Sequence, residues 1–268
     1  MIGGSELSMM TKSQLFYVPP TITERQATHD VLLGPSAATF DEANDITFDI
    51  APCTDLISLA DIRFVCDLVI QNADGTKLPP NSVVCPCNNI LSTLFHNVQV
   101  TLAGRSVSDP SNLYFIRAYL ENLLGHTKRA IWSQLSCEGF VLSEHQVTNQ
   151  SRTLVPAEGN VATHVSFNNV DQYERYNLIK SGNAIQLSGK IHCDLFQQDK
   201  PLIPGVALSI KFVRSRVAVG FTAPSTADLP KVCIRNPKLF IRKYVPTSAY
   251  FDSMTKEYQR QAIFDFQA

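Results

Sequence analysis

The strongest constraint on the fold is a regular alternation of apolar and polar residues in the C-terminal half of the chain. It runs through residues 187–195 and again through residues 206–212. A period of two is typical of a strand with one buried face. The connection between the two stretches, residues 197–205, contains the turn pair Pro204-Gly205. It is too long for a two-residue hairpin, so the two strands need not be neighbours in one sheet.

The same alternation predicts strands elsewhere in the chain. Turn sequences rich in Gly and Pro separate these stretches. About eight short strands of this kind predict an all-β protein, built as an antiparallel sandwich or barrel. The additional strands are predicted at residues 46–50, 62–70, 98–102 and 217–221, and the closing strands at residues 232–234 and 239–244.

One stretch has the period of a helix. Asp109 is a suitable N-cap, Pro110 suits the first turn, and Gly125 suits the C-terminal end. Leucine and isoleucine recur on one face of this helix, and we expect that face to pack in the core. Its members are Leu113, Ile116, Leu120, Leu123 and Leu124.

The remaining segments are less regular. Residues 1–40 have no helical or strand period, which predicts an arm before the first strand. Phe140-Val141-Leu142 and residues 161–167 are candidate short strands, and residues 149–160 have the composition of a loop. Residues 247–264 carry a weak helical pattern.

The charge balance argues against a nucleic-acid-binding protein. Lys and Arg number 23 against 24 Asp and Glu, which gives a net charge of −1. The first residues of the chain are not basic either, so we expect no direct contact with a genome.

The cysteines indicate an intracellular protein. Seven cysteines without a secretory signal predict reduced, packed thiols. No run of about 18 apolar residues predicts a membrane-spanning helix. Asn149-Gln150-Ser151 matches a glycosylation sequon, which we attribute to chance because no signal peptide is predicted.

His192-Cys193-Asp194 is the first candidate for a chemical site. Neighbouring residues on a strand point to opposite faces, so His192 and Asp194 share the polar face and Cys193 points away from both. His192 therefore cannot activate Cys193 as a nucleophile. We expect a packed cysteine beside a surface histidine that could pair with Asp194.

Cys85-Pro86-Cys87 is the second candidate, with His96 as the nearest possible third ligand. The spacing is not the C-x-x-C of zinc sites, so we expect a turn with two thiols. The chain also lacks the His-x-His pair of cupins, a phosphate-binding loop and the common hydrolase motifs. The sequence therefore predicts no catalytic, cofactor-binding or metal site.

Aromatic residues offer no nucleic-acid platform. They are not interleaved with Lys and Arg as stacking on bases would require. We expect them in the core or in contacts between subunits. The residues in question are Phe95, Phe115, Tyr119 and Trp132.

Three blocks of the sequence resemble the major capsid proteins of Polinton (Maverick) elements and the related adintoviruses. The blocks occur in the same order as in that family. The first is Asn88-Asn89-Ile90-Leu91 with Leu94-Phe95, and the second is Arg117-Ala118-Tyr119-Leu120-Glu121 with Leu123-Leu124. The third comprises Cys193-Asp194-Leu195-Phe196-Gln197-Gln198, Leu202-Ile203, Gly205-Val206 and Val213-Arg214-Ser215.

The resemblance implies a fold. Members of that family are double jelly rolls, so this chain would form an antiparallel eight-stranded jelly-roll sandwich with one inserted loop helix. Residues 1–40 would be an N-terminal arm, residues 41–245 the jelly roll, and residues 246–268 a connector toward a second jelly roll absent from this chain.

The resemblance also implies a structural function. The chain would be the N-terminal jelly roll of a non-enzymatic virion protein without cofactors, which forms trimeric pseudo-hexagonal capsomers of an icosahedral DNA virus or virus-like transposon. Its partners would be itself, as a homotrimer, neighbouring capsomers and a minor or penton capsid protein, with no sequence-specific nucleic acid and no membrane span. It would reside in the virion and assemble in the nucleus or cytoplasm, without secretion through a signal peptide.

A chain taken out of such an assembly should expose apolar surface, because neighbouring subunits normally cover it. Phe140-Val141-Leu142 and Tyr250-Phe251 are the candidates for this exposed surface.

Two alternative functions come from other classes of protein. A host jelly-roll binding module of lectin or cytokine type would usually be secreted, and a cupin-like enzyme would need the missing ligands.

Overall fold

The computed structural model describes residues 25–36, 45–79, 84–108, 112–141, 152–153, 166–167, 170–222 and 230–259. The strands are β1 (Arg25–Leu33), β2 (Ile46–Ile50), β3 (Leu56–Gln71), β4 (Cys85–Pro86), β5 (Phe95–Leu102), β6 (Arg105–Ser106), β7 (Arg152–Thr153), β8 (Ser166–Phe167), β9 (Ile185–Lys190), β10 (Leu208–Arg214), β11 (Phe221–Thr222) and β12 (Lys231–Pro246). The helices are α1 (Ile90–Thr93), α2 (Tyr114–Gly125), α3 (Lys128–Ser133), α4 (Val170–Ile179), α5 (Val217–Gly220) and α6 (Ser248–Gln259).

Two four-stranded antiparallel sheets form the body of the protein. Their strand orders are β1-β12-β3-β9 and β2-β10-β5-β6. Along the chain, the first of these eight strands pairs with the last, the second with the seventh, the third with the sixth, and the fourth with the fifth. This is the pairing of one long hairpin rolled into two sheets, which is the jelly roll. The predicted fold class is confirmed.

Alternating side chains from both sheets fill the space between them. Phe64 lies on β3 of one sheet, and Phe48, Phe95 and Phe212 lie on strands of the other. The ring centroid of Phe64 is 4.7 Å from that of Phe212, 5.4 Å from that of Phe95 and 6.1 Å from that of Phe48. All four rings are buried. The alternation in the sequence therefore identifies the inward faces correctly.

The first strand of the jelly roll lies in the segment that the sequence predicted to be an arm. Residues Arg25–Leu33 form β1 at the edge of one sheet and pair with β12. Arg242 of β12 holds this edge strand through an ion pair with Asp30, with 2.9 Å between Nε and Oδ1. Most β1 side chains are exposed, so the strand lacks the alternation that reveals a half-buried strand. The predicted boundary at residue 41 is therefore wrong, because the jelly roll already includes residue 25.

Several predicted strands differ in extent. Residues predicted as separate closing strands form one continuous strand, β12, whose register shifts where Asn236 adopts φ 48°. The stretch predicted as a strand at residues 217–221 is mostly the short helix α5. The strand predicted through residue 195 ends at Lys190, and a turn of 3-10 helix follows at Asp194–Gln197.

The helices differ most from the prediction. More than one helix interrupts the strands, and α2 begins at Tyr114 rather than near Asp109, which lies outside the described residues. Gly125 does end this helix. The leucine-rich face of α2 was expected in the core and is instead exposed to solvent. Residues 247–264 do contain a helix, α6, within their described part.

The segment around Phe140 also differs. Phe140 was a candidate for a strand and for exposed apolar surface, but it lies outside any strand and packs with Ile131 and Leu135 in a small buried cluster. Phe251 in α6 is 39% exposed, as predicted, while Tyr250 is half-buried. Leu142 and the sequon at Asn149 lie outside the described residues.

Replacing the central phenylalanine tests this account of the core. We expect Phe64→Ala to lower the free energy of unfolding by about 3–5 kcal/mol, because it leaves a cavity between the sheets. Val107→Ala is the control; Val107 is 46% exposed, and we expect a change within about 0.5 kcal/mol. Urea unfolding followed by circular dichroism measures both. Equal losses in the two variants would contradict a core centred on Phe64.

Candidate functional site

Helix α2 turns its polar face toward the protein. Tyr114, Ala118 and Asn122 of this helix are buried, and Arg117 and Glu121 beside them are partly buried. The inward face meets two segments that the sequence did not bring together. One is the 3-10 turn Leu135–Glu138, and the other is the chain that follows β9. Together these groups form a buried polar cluster.

His192 lies at the centre of this cluster and is 7% exposed. Its Nδ1 is 2.7 Å from Oε2 of Glu121. An ionised carboxylate can only accept a hydrogen bond, so Nδ1 carries a proton and donates it. The backbone N–H of His192 points to the hydroxyl oxygen of Tyr114 at 3.4 Å. Both contacts attach His192 to helix α2.

Glu138 approaches His192 from the other side. The Nδ2 of Asn122 donates to Oε2 of Glu138 at 2.9 Å, and the backbone N–H of Lys190 lies 3.3 Å from Oε1. Nε2 of His192 is 3.8 Å from Oε2 of Glu138, beyond hydrogen-bond distance. Nε2 is buried and has no hydrogen-bond partner among the described residues. Its nearest anionic neighbour is therefore the Glu138 carboxylate.

Arg117 closes the cluster toward solvent. Its Nε donates to Oε1 of Glu121 at 2.7 Å, one helical turn away. Its two terminal nitrogens both contact the carboxylate of Asp194. The cations Arg117 and protonated His192 thus alternate with the three carboxylates, and each carboxylate has at least one donor.

The charges of the cluster favour a protonated His192. Burial alone would lower the pKa of His192, but the hydrogen bond to Glu121 and the attraction of Glu138 raise it above its ordinary value of 6.5. Burial would likewise raise the pKa of Glu121, but the bonds from His192 and Arg117 outweigh it and lower that pKa to about 2. Both shifts stabilise an ion pair between the helix and the end of β9.

This geometry corrects the predicted surroundings of His192. The predicted surface histidine is buried, and it pairs with Glu121 rather than with Asp194. Cys193 is buried as predicted, and burial raises the pKa of its thiol. The His192 ring nitrogens face carboxylates rather than the Cys193 sulfur. The sequence contained no indication of Glu121 and Glu138 as partners, because they lie far from His192 along the chain.

The second candidate site, Cys85-Pro86-Cys87 with His96, consists of residues that make separate structural contacts. Cys85 pairs through its backbone in β4, where burial raises the pKa of its thiol to about 11. His96 Nδ1 is 2.7 Å from the carbonyl oxygen of Arg214. Within the described ranges, no three His, Cys, Asp or Glu side chains are arranged to hold a metal ion. The seven cysteines are thiols rather than disulfides.

The aromatic residues divide between core and surface. Phe95 lies in the core and Phe115 is half-buried, while Trp132 is 68% exposed. Tyr119 contacts the buried ring of Phe140, with 5.6 Å between the ring centroids.

Among the helices that the structure describes, none has the length and hydrophobicity of a membrane-spanning helix.

Comparison with protein families finds no match, and comparison with curated proteins finds none either. Among solved structures, the chain is similar to the mavirus major capsid protein, with 10% identity over 87% of this chain and 49% of that one, at a TM-score of 0.40. It is similar to the Faustovirus major capsid protein, with 10% identity over 94% and 60% of the two chains, at a TM-score of 0.40. The PBCV-1 virus capsid matches with 11% identity over 93% and 48%, at a TM-score of 0.37.

This chain spans about half the length of the structures that it matches first. The jelly-roll assignment itself rests on the strand pairing described above.

Gly189 on β9 tests how closely the cluster is packed against the sheet. A Cβ at this position would lie 2.6 Å from Leu91 Cδ2 and 2.8 Å from Cγ and Cδ of Glu138. We expect Gly189→Ala to lower the free energy of unfolding by about 1–3 kcal/mol, because buried side chains must move. Gly34→Ala is the control, since nothing lies within 4 Å of a Cβ there. Thermal unfolding of both variants gives the comparison, and an unchanged Gly189→Ala would contradict this packing.

The pH dependence of stability tests the charge of His192. A raised histidine pKa stabilises the fold fully below the unfolded value of about 6.5, and this contribution is lost as the pH rises through the folded value. We expect His192→Gln to lower the free energy of unfolding by about 1.5–3 kcal/mol near pH 6, and the gap from wild type to narrow toward pH 9.

Urea unfolding from pH 6 to pH 9 measures the gap between His192→Gln and wild type. His29→Gln, at an exposed site on β1, is the control and should stay within about 0.5 kcal/mol of wild type. A gap that widens with rising pH would show that His192 is neutral in the fold.

Proposed function

We propose that this chain is a structural capsid protein, whose jelly roll is a building block of an icosahedral viral shell. The observation that carries the proposal is the rolled pairing of eight strands around a closed, filled core. A capsid subunit requires a stable sandwich with two outer surfaces and needs no catalytic site. The resemblance of the three sequence blocks to Polinton and adintovirus capsid proteins supports the same role, and the narrower assignment to those elements rests on that resemblance alone.

The interior of the sandwich also supports this role over that of a cupin-like enzyme. Such an enzyme would need ligands and space between the sheets for its metal. Here Phe48, Phe64, Phe95 and Phe212 occupy that space with tightly packed rings. The thiol of Cys66, which also faces the core, is buried, and its pKa is raised to about 12 by that burial. Packed rings and a neutral thiol contribute to stability rather than to binding.

We further infer the architecture of the whole capsid protein. Residues 246–268 would connect this jelly roll to a second one, and three copies of the double jelly roll would form a pseudo-hexagonal capsomer. Neighbouring capsomers and a penton protein would be the remaining partners, and the virion would be the location. The near-zero net charge of −1 fits a wall that does not itself condense nucleic acid.

Assembly of the full reading frame that contains this chain tests the proposal. We expect a discrete trimer by native mass spectrometry and particles with a hexagonal outline by negative-stain electron microscopy. The 268-residue chain alone is the matched control, and we expect it to associate weakly or irregularly. Its missing neighbours would leave subunit contacts uncovered.

A full-length product that stays monomeric at every concentration, with no particles, would contradict the capsid role. Monomers that bind oligosaccharides on a glycan array would instead favour the lectin-like alternative.

A further inference from the structure

The apolar face of α2 points into solvent along the length of the helix. We call its five residues the docking stripe. Leu124 is 79% exposed and Leu113 54%. A soluble helix normally buries such a face, so an exposed one requires an explanation. The docking stripe consists of Leu113, Ile116, Leu120, Leu123 and Leu124.

The helix cannot simply rotate to bury the docking stripe. Its opposite face carries the contacts of Glu121 to His192 and of Asn122 to Glu138. A rotation would leave the buried His192 and Glu138 without these partners, which is costly for buried charges. The polar cluster therefore holds the stripe outward, and something outside the described fold must cover it.

The spacing of the stripe fits another helix. Leu113, Ile116, Leu120 and Leu123 follow intervals of three, four and three residues. These intervals place the side chains along the narrow seam by which two helices pack, with knobs of one entering holes of the other. A second α2 helix offers the matching seam.

The charges around the stripe permit two identical copies to meet. The exposed residues between Asn112 and Gly125 are all uncharged. The charged residues of α2, Arg117 and Glu121, are partly buried beside the stripe, and both are paired with opposite charges. Identical surfaces therefore meet without like-charge repulsion, and charge depletion is typical of the centre of a protein interface.

The size of the apolar surface is also suitable. With roughly 100 Å² for each fully exposed aliphatic side chain, the stripe presents about 250 Å². Tyr119, on the same helix and 36% exposed, adds about 70 Å². A standard interface buries about 800 Å² per partner, of which rather more than half is apolar. The exposed face of α2 thus supplies much of the apolar centre of one standard interface.

We propose that the docking stripe is covered by a second copy of this chain, with α2 against α2. The inference deepens the proposed capsid role by naming a contact between subunits. It rests on that role only in that both require copies of the chain to associate.

Sedimentation velocity over a range of concentrations tests this contact in the 268-residue chain. The stripe variant combines Ile116→Gln, Leu120→Gln and Leu124→Gln, since glutamine keeps helix propensity while removing apolar surface. The control variant combines Leu32→Gln, Val107→Gln and Leu178→Gln, at sites 59%, 46% and 39% exposed and outside α2. We expect wild type and control to associate alike, and the stripe variant to associate at least tenfold more weakly.

Hydrogen exchange on the wild-type chain locates the contact without any substitution, so it remains decisive if the stripe variant fails to fold. We expect amides of α2 to gain protection as concentration rises, while those of α4 do not change. Association that protects other segments instead would overturn the proposal. So would a stripe variant that is folded and associates as wild type does.

A wild-type chain that stays monomeric would also refute the proposal that a second copy covers the docking stripe. Binding of the dye bis-ANS to that monomer would then indicate a different partner, and absence of binding would indicate cover from within the chain. These results are separable from the capsid role. Capsomers of the full-length protein carrying the stripe variant would refute the α2 contact alone, whereas paired α2 helices without capsomers would refute the capsid role alone.

Discussion

The contact of Phe64 with three phenylalanines of the facing sheet is the constraint on which the jelly roll depends. Phe64 is the contribution of one sheet, and Phe48, Phe95 and Phe212 come from three neighbouring strands of the other. Rings in edge and tilted contact fix the separation of the sheets, because a packed interior tolerates little change in volume. The register of β2, β3, β5 and β10 follows from this contact, since a slip of one residue would turn the phenylalanine of that strand to the opposite face.

Polar contacts, rather than burial of apolar surface, decide how α2 sits on this body. Buried charges are costly unless each finds a partner. Glu121, His192 and Glu138 meet that condition only when the helix presents its charged face inward. The consequence is an apolar face in solvent, a local cost that a contact between subunits would remove. If the proposed α2 contact forms, stability of the monomer and association of its copies have a common origin in one helix.

The filled interior and the outward stripe are the two features on which the proposed capsid role and the proposed α2 contact rest. A site for chemistry requires space and reactive groups, and here the space between the sheets is occupied by rings while the buried thiols of Cys66 and Cys85 have raised pKa values. A wall protein requires rigid sheets and adhesive loops. In the proposed capsid role, the helices between β6 and β9 would supply such contacts on a regular scaffold.

The sequence by itself determined the central strands and the fold class, because a strand buried on one face alternates apolar and polar residues. That alternation predicted β2, β3, β5, β10 and β12. The alternation did not predict β1, because most side chains of this edge strand are in solvent. The position of β1 depends on its pairing with β12. The sequence also showed that α2 has two faces without showing which one points inward. Only the tertiary structure decided that, by placing His192 and Glu138 beneath the charged face, because these buried groups need hydrogen-bond partners that the leucines cannot provide.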